Sequence, residues 1–266
     1  DAVNSYLFRE GRGRRLDNVV VRVVAPGTFF QRHAVIDDAY VAELKKKVTV
    51  APLHVPHILR EIESAQKHFK QARLIAASDS AFHSEIPLVA REYSILREDA
   101  NEFDIHRFGY HGLSVASVVR RIHALIGLDP ERLVVCHIGS GTSVTAVKNG
   151  KSVETSMGFA PATGLPMGSR AGDVDTAALL ELMRAKHWRP SEAEMYINTN
   201  GGFAGMAGES DIRRLLDRRS KNDAVAAQAL NVFAYNMQKM IAAQTVALGG
   251  LDAIVLTATA AVRSSE

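Results

Sequence analysis

The segment His137-Ile138-Gly139-Ser140-Gly141-Thr142-Ser143 lies between the apolar runs Val134–Cys136 and Val144–Val147. Its residue types suit an anion. Glycines let the backbone approach phosphate oxygens closely, successive N–H groups of such a turn point at them, and Thr142 and Ser143 add hydroxyl donors. The chain turns back at Lys148-Asn149-Gly150-Lys151, where Asn-Gly favours a type I′ hairpin. The unit therefore reads as strand, loop, strand. A P-loop would run into a helix and carry Gly-Lys-Ser/Thr, and neither feature is here. Short Gly/Ser turns also close ordinary hairpins, so this turn alone fits either use.

Charged residues supply the next set. Arg22 sits inside the apolar run Val19–Val24, and Arg170 inside the tight sequence Pro166-Met167-Gly168-Ser169-Arg170-Ala171-Gly172-Asp173. Two arginines suit a carboxylate plus a phosphoryl group, because guanidinium forks match planar oxyanions. A structural ion pair with Asp79 or Asp173 would satisfy the same electrostatics. His54, His83, His111 and His137 each occupy a compact motif. None has the paired short spacing that builds a zinc site on one element, and no Gly-x-Ser-x-Gly elbow marks a serine hydrolase.

These side chains need elements to hold them. Val19–Val24 reads as a strand buried on both faces, ending at Ala25-Pro26-Gly27. A helix follows from about Asp37 to Lys46, then Pro-bounded Ala51–Pro56, then a helix to about Phe69. Arg73–Ser78 reads as a strand with Asp79 just past its end, where ligands collect in open α/β sheets. Ser114 is placed to cap a helix running to about Ile126, and the hairpin opens a second sheet. Asp173 begins another helix after the loop 163–172, Asn198–Gly208 reads as a glycine-rich stretch, and Ser210 caps a short helix. From Asn222, the apolar residues Leu230, Phe233, Met237, Met240, Ile241 and Leu248 mark a long amphipathic helix stopping at Gly249-Gly250. Ala253–Thr257 is a last strand.

With 266 residues, 47% of them hydrophobic, the chain can bury a substantial core and is expected to form two domains, 1–82 and 83–266. A net charge of +3 is too small for a dedicated nucleic-acid surface. The cluster Arg9, Arg12, Arg14, Arg15 reads as a solvated loop. Cys136 is the only cysteine, so no internal disulfide forms, and its apolar strand argues for packing. No apolar stretch reaches membrane-spanning length and no signal peptide is visible, so the expected location is the cytosol.

One ordered series of motifs covers almost the whole chain. It comprises Arg22-Val23-Val24, Ala51-Pro52-Leu53-His54, Asp79-Ser80-Ala81-Phe82-His83, Arg107-Phe108-Gly109-Tyr110-His111-Gly112, His137–Gly141, Thr155-Ser156-Met157-Gly158, Met167–Asp173 and Leu251–Val255. In this order they resemble the acetate kinase family. The resemblance implies an α/β, two-domain actin/hexokinase-like (ribonuclease H-like) architecture, ATP and Mg²⁺ as cofactors, a homodimer, and reversible transfer of the ATP γ-phosphoryl group to acetate. By the same resemblance Asp79, His111 and Arg170 are catalytic. Arg22, Val24, Leu53, His54, Tyr110 and Pro161 bind the carboxylate substrate, and His137, Ile138, Gly139, Ser140, Gly141, Asp211, Ile212 and Arg213 bind the nucleotide.

The chain also departs from the family pattern. The family's first strand with its Asn/Ser-rich turn, and its carboxyl-terminal glutamate region that holds Mg²⁺, have no counterpart in this sequence, so the architecture is expected to be incomplete at both ends. Tyr110 stands where the family usually has phenylalanine, Ser140 replaces an asparagine, Ala25-Pro26-Gly27 replaces His-Gly-Gly, and Thr257–Arg263 lacks the glycines of an adenosine loop. The Tyr110 hydroxyl is expected to shrink or polarise the acyl pocket. Three readings stay open: part of a working kinase, a kinase for another short carboxylate such as propionate or butyrate, or a non-catalytic dimerising or nucleotide-sensing paralog.

Overall fold

The computed structural model of the chain describes residues 16–263. The arginine cluster Arg9, Arg12, Arg14 and Arg15 lies outside them. The described residues form two compact units. One comprises the residues up to Ala25 together with His33–Ser78, the other Pro26–Arg32 together with the residues from Asp79 onward.

In the first unit, β1 (Asn18–Val23), β2 (Ala34–Val35) and β3 (Arg73–Ser78) form a three-stranded sheet in the order β1-β3-β2. β1 runs parallel to β3, with Arg22 opposite Ala77, and β2 runs antiparallel to β3. Between β2 and β3 lie α1 (Asp38–Lys45), capped by the Asp37 carboxylate, and α2 (Val55–His68). α2 buries Val55, Ile58, Ile62 and Ala65, the three- and four-residue steps of one helical face. The expectation of a first strand buried on both faces is corrected here. Val21 and Val23 are buried, but Asn18, Val20 and Arg22 are exposed, the alternation of a strand covered on one face. A run of valines hides that alternation, because both faces carry the same residue type.

The second unit is built on a four-stranded sheet. Its strands are β4 (Arg132–Ile138), β5 (Thr142–Lys148), β6 (Lys151–Thr155) and β7 (Ala253–Thr257), in the order β6-β5-β4-β7. β4 and β5 are the two arms of the glycine hairpin, and β7 joins β4 in parallel. Asn149 and Gly150 both have positive φ, 51° and 76°, as the β5–β6 turn of type I′ requires. The helices are α3 (Leu88–Arg91), α4 (Arg97–Glu102), α5 (Gly112–Ile126), α6 (Thr176–Lys186), α7 (Pro190–Thr199), α8 (Gly202–Ala207), α9 (Ile212–Ser220), α10 (Ala224–Leu248) and α11 (Thr259–Arg263).

Strand alternation divides the core into two layers. Val134, Cys136, Val144 and Ala146 pack with Leu230, Phe233, Met237 and Leu248 of α10. On the other face Leu133, Val135 and Val147 pack with Val115 and Ile122 of α5. Each large side chain buried this way contributes roughly 1.5–3 kcal/mol. Cys136 belongs to the α10 layer, and burial pushes its thiol up to about 12, so it packs and does not react. No helix among the described residues is long and apolar enough to cross a membrane.

Several helix starts differ from expectation. α5 begins after His111, not at Ser114; α6 is capped by Asp175, not begun by Asp173; and α9 is capped by Asp211, not Ser210. Asp173 accepts instead from the Gly164 N–H at 2.7 Å. The stretch 198–208 is largely helical, holding the end of α7 and all of α8.

Candidate functional site

Asp79 is 1% exposed and follows the last residue of β3. Its carbonyl accepts from the Gly112 N–H and its Oδ2 accepts from the His111 N–H, both at 2.8 Å. Between these two bonds His111 adopts the left-handed conformation, φ 60° and ψ 15°. That backbone costs a non-glycine residue roughly 1–2 kcal/mol. The buried aspartate thus holds a strained turn that sets where the imidazole at the head of α5 lies.

The α5-facing layer becomes polar at the end of the hairpin. His137 of β4 and Ser143 of β5 are register partners, and they meet residues from the start of α5. Ser143 Oγ pairs with His111 Nδ1 at 2.9 Å, and His137 Nδ1 pairs with Ser114 Oγ at 2.9 Å. The two imidazoles lie face to face, with ring centroids 4.0 Å apart and planes 30° apart. The expectation that Thr142 and Ser143 offer hydroxyls to phosphate is corrected: both residues are buried, and the Ser143 hydroxyl is turned to His111.

Gly141 is where Arg170 meets this group. A Cβ placed on Gly141 would stand 3.2 Å from Arg170 Nη1 and 3.2 Å from His111 Nε2. The guanidinium and the imidazole therefore converge on one bare stretch of backbone. Arg170 is steadied from its own loop, with Nη1 donating to the Pro161 carbonyl at 2.9 Å. At the tip, the Gly139 N–H donates to the Gly141 carbonyl at 3.0 Å, and the Ser140 side chain is exposed. The Ser140 carbonyl accepts from the Gly168 N–H at 3.2 Å, which ties the hairpin to the Arg170 loop. Gly168 also abuts Ser210, so the segment Asp211–Arg213 begins beside the same loop. Asp211 accepts from the Arg213 N–H and pairs with its guanidinium, which lowers its carboxyl to about 2.

Tyr110 is fully buried, and its hydroxyl donates to the Phe159 carbonyl at 2.6 Å. Burial pushes the phenol well above its usual range. The hydroxyl is thus held by the loop that carries Pro161. Behind it, His83 is also fully buried, its Nε2 donating to the Tyr110 carbonyl at 2.9 Å and its Nδ1 pairing with Ser152 Oγ at 2.8 Å. Burial lowers its pKa to about 4, so it is a neutral structural histidine.

The structure gathers Asp79, His111, Arg170, Pro161, His137 and the 139–141 turn within the second unit. Arg22, Val24, Leu53 and His54 belong to the first unit, Arg22 on the exposed face of β1, buried Val24 just after that strand, and Leu53 and His54 just before α2. Among the described residues no group of three or more His, Cys, Asp or Glu side chains gathers to hold a metal. Two positions were missed in the sequence, Ser114 as the His137 partner and Ser143 as the His111 partner. The signal that finds Ser143 is period two: it shares a face with Val147, and that face packs on α5.

The model of the acetokinase family matches residues 10–265. The chain is 41% identical over 239 residues to the acetate kinase of Desulforamulus reducens, covering 89% of this chain and 60% of that protein. It is 36% identical over 262 residues to the acetate kinase of Streptomyces coelicolor, covering 97% and 64%. Among solved structures, a propionate kinase from Francisella tularensis superposes with a TM-score of 0.93 at 28% identity, covering 99% of this chain and 68% of that one. The Porphyromonas gingivalis acetate kinase gives 0.80 at 32% identity, covering 90% and 60%. The chain thus spans about three fifths of the length of the curated relatives it matches.

Proposed function

The chain belongs to the acetokinase family, and from that membership we propose that it transfers the γ-phosphoryl group of ATP to acetate, reversibly, giving acetyl phosphate and ADP. Its α/β fold is of the actin/hexokinase-like type. One observation carries the proposal: Arg170 and His111 converge on Gly141 at the mouth of the glycine hairpin. Phosphoryl transfer passes through a loose transition state with charge spread over three equatorial oxygens, so cations and hydrogen-bond donors held in fixed positions do most of the work.

In this proposal Arg170 supplies the cation and the His111 imidazole a donor to an equatorial oxygen. Asp79 acts by holding the His111 turn. The backbone of 139–141, with His137, Ile138 and the segment Asp211, Ile212, Arg213, serves the nucleotide. Arg22, Val24, Leu53, His54, Tyr110 and Pro161 serve the carboxylate, with 1–82 as the substrate and phosphate domain and 83–266 as the domain of the hairpin. A divalent ion, when bound, neutralises phosphate charge. By the family resemblance its ligand is the glutamate region without counterpart in this sequence, and among the described residues no group of three or more His, Cys, Asp or Glu side chains gathers to hold it.

The test is a trapping assay. Incubation with ATP, Mg²⁺, acetate and hydroxylamine should yield acetyl hydroxamate, and its absence from both this chain and a longer form of the protein would remove the enzymatic claim. Propionate and butyrate in the same assay decide the acyl length, a question raised by the propionate kinase among the structural relatives.

A further inference from the structure

Resting on the phosphotransfer proposed above, we infer that Ser143 is a positioning residue that selects which ring nitrogen of His111 carries the proton facing Gly141 and Arg170. Ser143 is fully buried, and its hydroxyl has one hydrogen. Among the described residues its only side-chain hydrogen-bond partner is His111 Nδ1, at 2.9 Å. If Nδ1 carried the imidazole proton, the serine hydrogen would be buried without an acceptor, an unsatisfied donor that buried sites avoid. The serine therefore donates and Nδ1 accepts. The proton of the neutral ring then sits on Nε2, the atom 3.2 Å from the Cβ position of Gly141.

The same unit contains a second pair whose polarity is fixed independently. His83 Nε2 faces the Tyr110 carbonyl, which only accepts, so that nitrogen holds the proton and Nδ1 accepts from Ser152 Oγ. Ser143 and His111 repeat this arrangement, with Nε2 turned to the site in place of a carbonyl. His137, stacked at 4.0 Å and pinned through Ser114, limits rotation of the His111 ring. An Nε2–H can donate to a phosphoryl oxygen, whereas a bare Nε2 lone pair would repel it. Ser143 thus acts through His111 and never touches substrate.

The tautomer is readable by long-range ¹H–¹⁵N spectra of the ¹⁵N-histidine chain at mildly alkaline pH, with His111→Gln identifying the signal. The wild-type chain should show His111 protonated on Nε2, and Ser143→Ala should show a mixture of tautomers. In the transferase assay kcat of Ser143→Ala should fall at least about tenfold, as outer-sphere and wrong-tautomer changes do, with KM for ATP unchanged. Ser143→Thr, which keeps the hydroxyl, should restore both readouts; if its methyl group prevents folding, the wild-type and alanine spectra decide. An Nδ1–H tautomer in the wild type, or an alanine variant unchanged in spectrum and kcat, would overturn the inference. A chain with no transferase activity in any form removes the phosphotransfer proposal, and the spectra still decide what Ser143 does.

Discussion

Arg170 has a stake in folding and a separate one in the site. The half-buried guanidinium donates to the Pro161 carbonyl and flanks the hairpin glycine opposite His111. Arg170→Ala removes from the fold, with its other contacts, the charge-assisted hydrogen bond to Pro161, worth about 1.5–3 kcal/mol. It also removes a preorganised cation from the transition state, which typically costs about 10²–10³ in kcat. Hydroxamate kinetics beside a thermal melt separate the two, and a variant that melts early would make Arg170 a structural ion-pair former. Tyr110 gives the opposite balance. Its hydroxyl is committed to the Phe159 carbonyl at 2.6 Å inside the protein. Tyr110→Phe leaves that carbonyl without its donor and should lower stability by about 1–3 kcal/mol while acyl preference stays the same. Urea unfolding and a comparison of acetate with propionate measure both effects.

At the scale of elements, α9 depends on its cap. Asp211 accepts from the Arg213 N–H, satisfying an orphan donor of the first turn, and holds the Arg213 guanidinium as well. Asp211→Ala should cost about 1 kcal/mol, read by urea unfolding at neutral pH. The carboxyl is lowered from 3.8 to about 2 in the fold, so its contribution is complete above pH 4 and disappears as pH falls from about 4 to about 2. Elements with strong periodicity were legible: β3 and β7 have the bounds read from sequence, and α10 follows its apolar stripe. Less legible was the 198–208 stretch, which reads only as glycine-rich and is largely helical. Gly201 and Gly202 let the start of α8 press against Ala171 and the Met167 carbonyl, contacts that a Cβ would block. Tertiary approach, invisible in one sequence, decided those positions. The site was half legible for a related reason. Motifs named Asp79, His111 and Arg170, but Ser143 resembles any hydroxyl in a glycine turn until the packed face of β5 is known.

For the molecule as a whole, buried neutral histidine sets the response to acid. His83 joins the Tyr110 carbonyl to Ser152 of β6 and is completely buried. Its pKa falls from 6.5 to about 4, chiefly because burial disfavours the charged ring. Between those values the unfolded chain binds a proton that the folded chain refuses, so stability declines as pH falls from 6.5 to about 4 and levels off below. A shift of this size corresponds to on the order of 3 kcal/mol. His106 is lowered as well, by burial and by Arg91, and acts with the same sign. Urea unfolding between pH 7 and pH 4 should therefore show a falling midpoint well before the Asp211 window opens. His83→Gln, which has no proton to take up, should flatten that slope even if it is less stable at neutral pH. If the variant does not fold, the His83 imidazole signals in the wild type decide, since the ring should stay unprotonated down to about pH 5. A midpoint independent of pH above 5, or a His83 ring that titrates near 6.5, would place the acid sensitivity of this fold elsewhere.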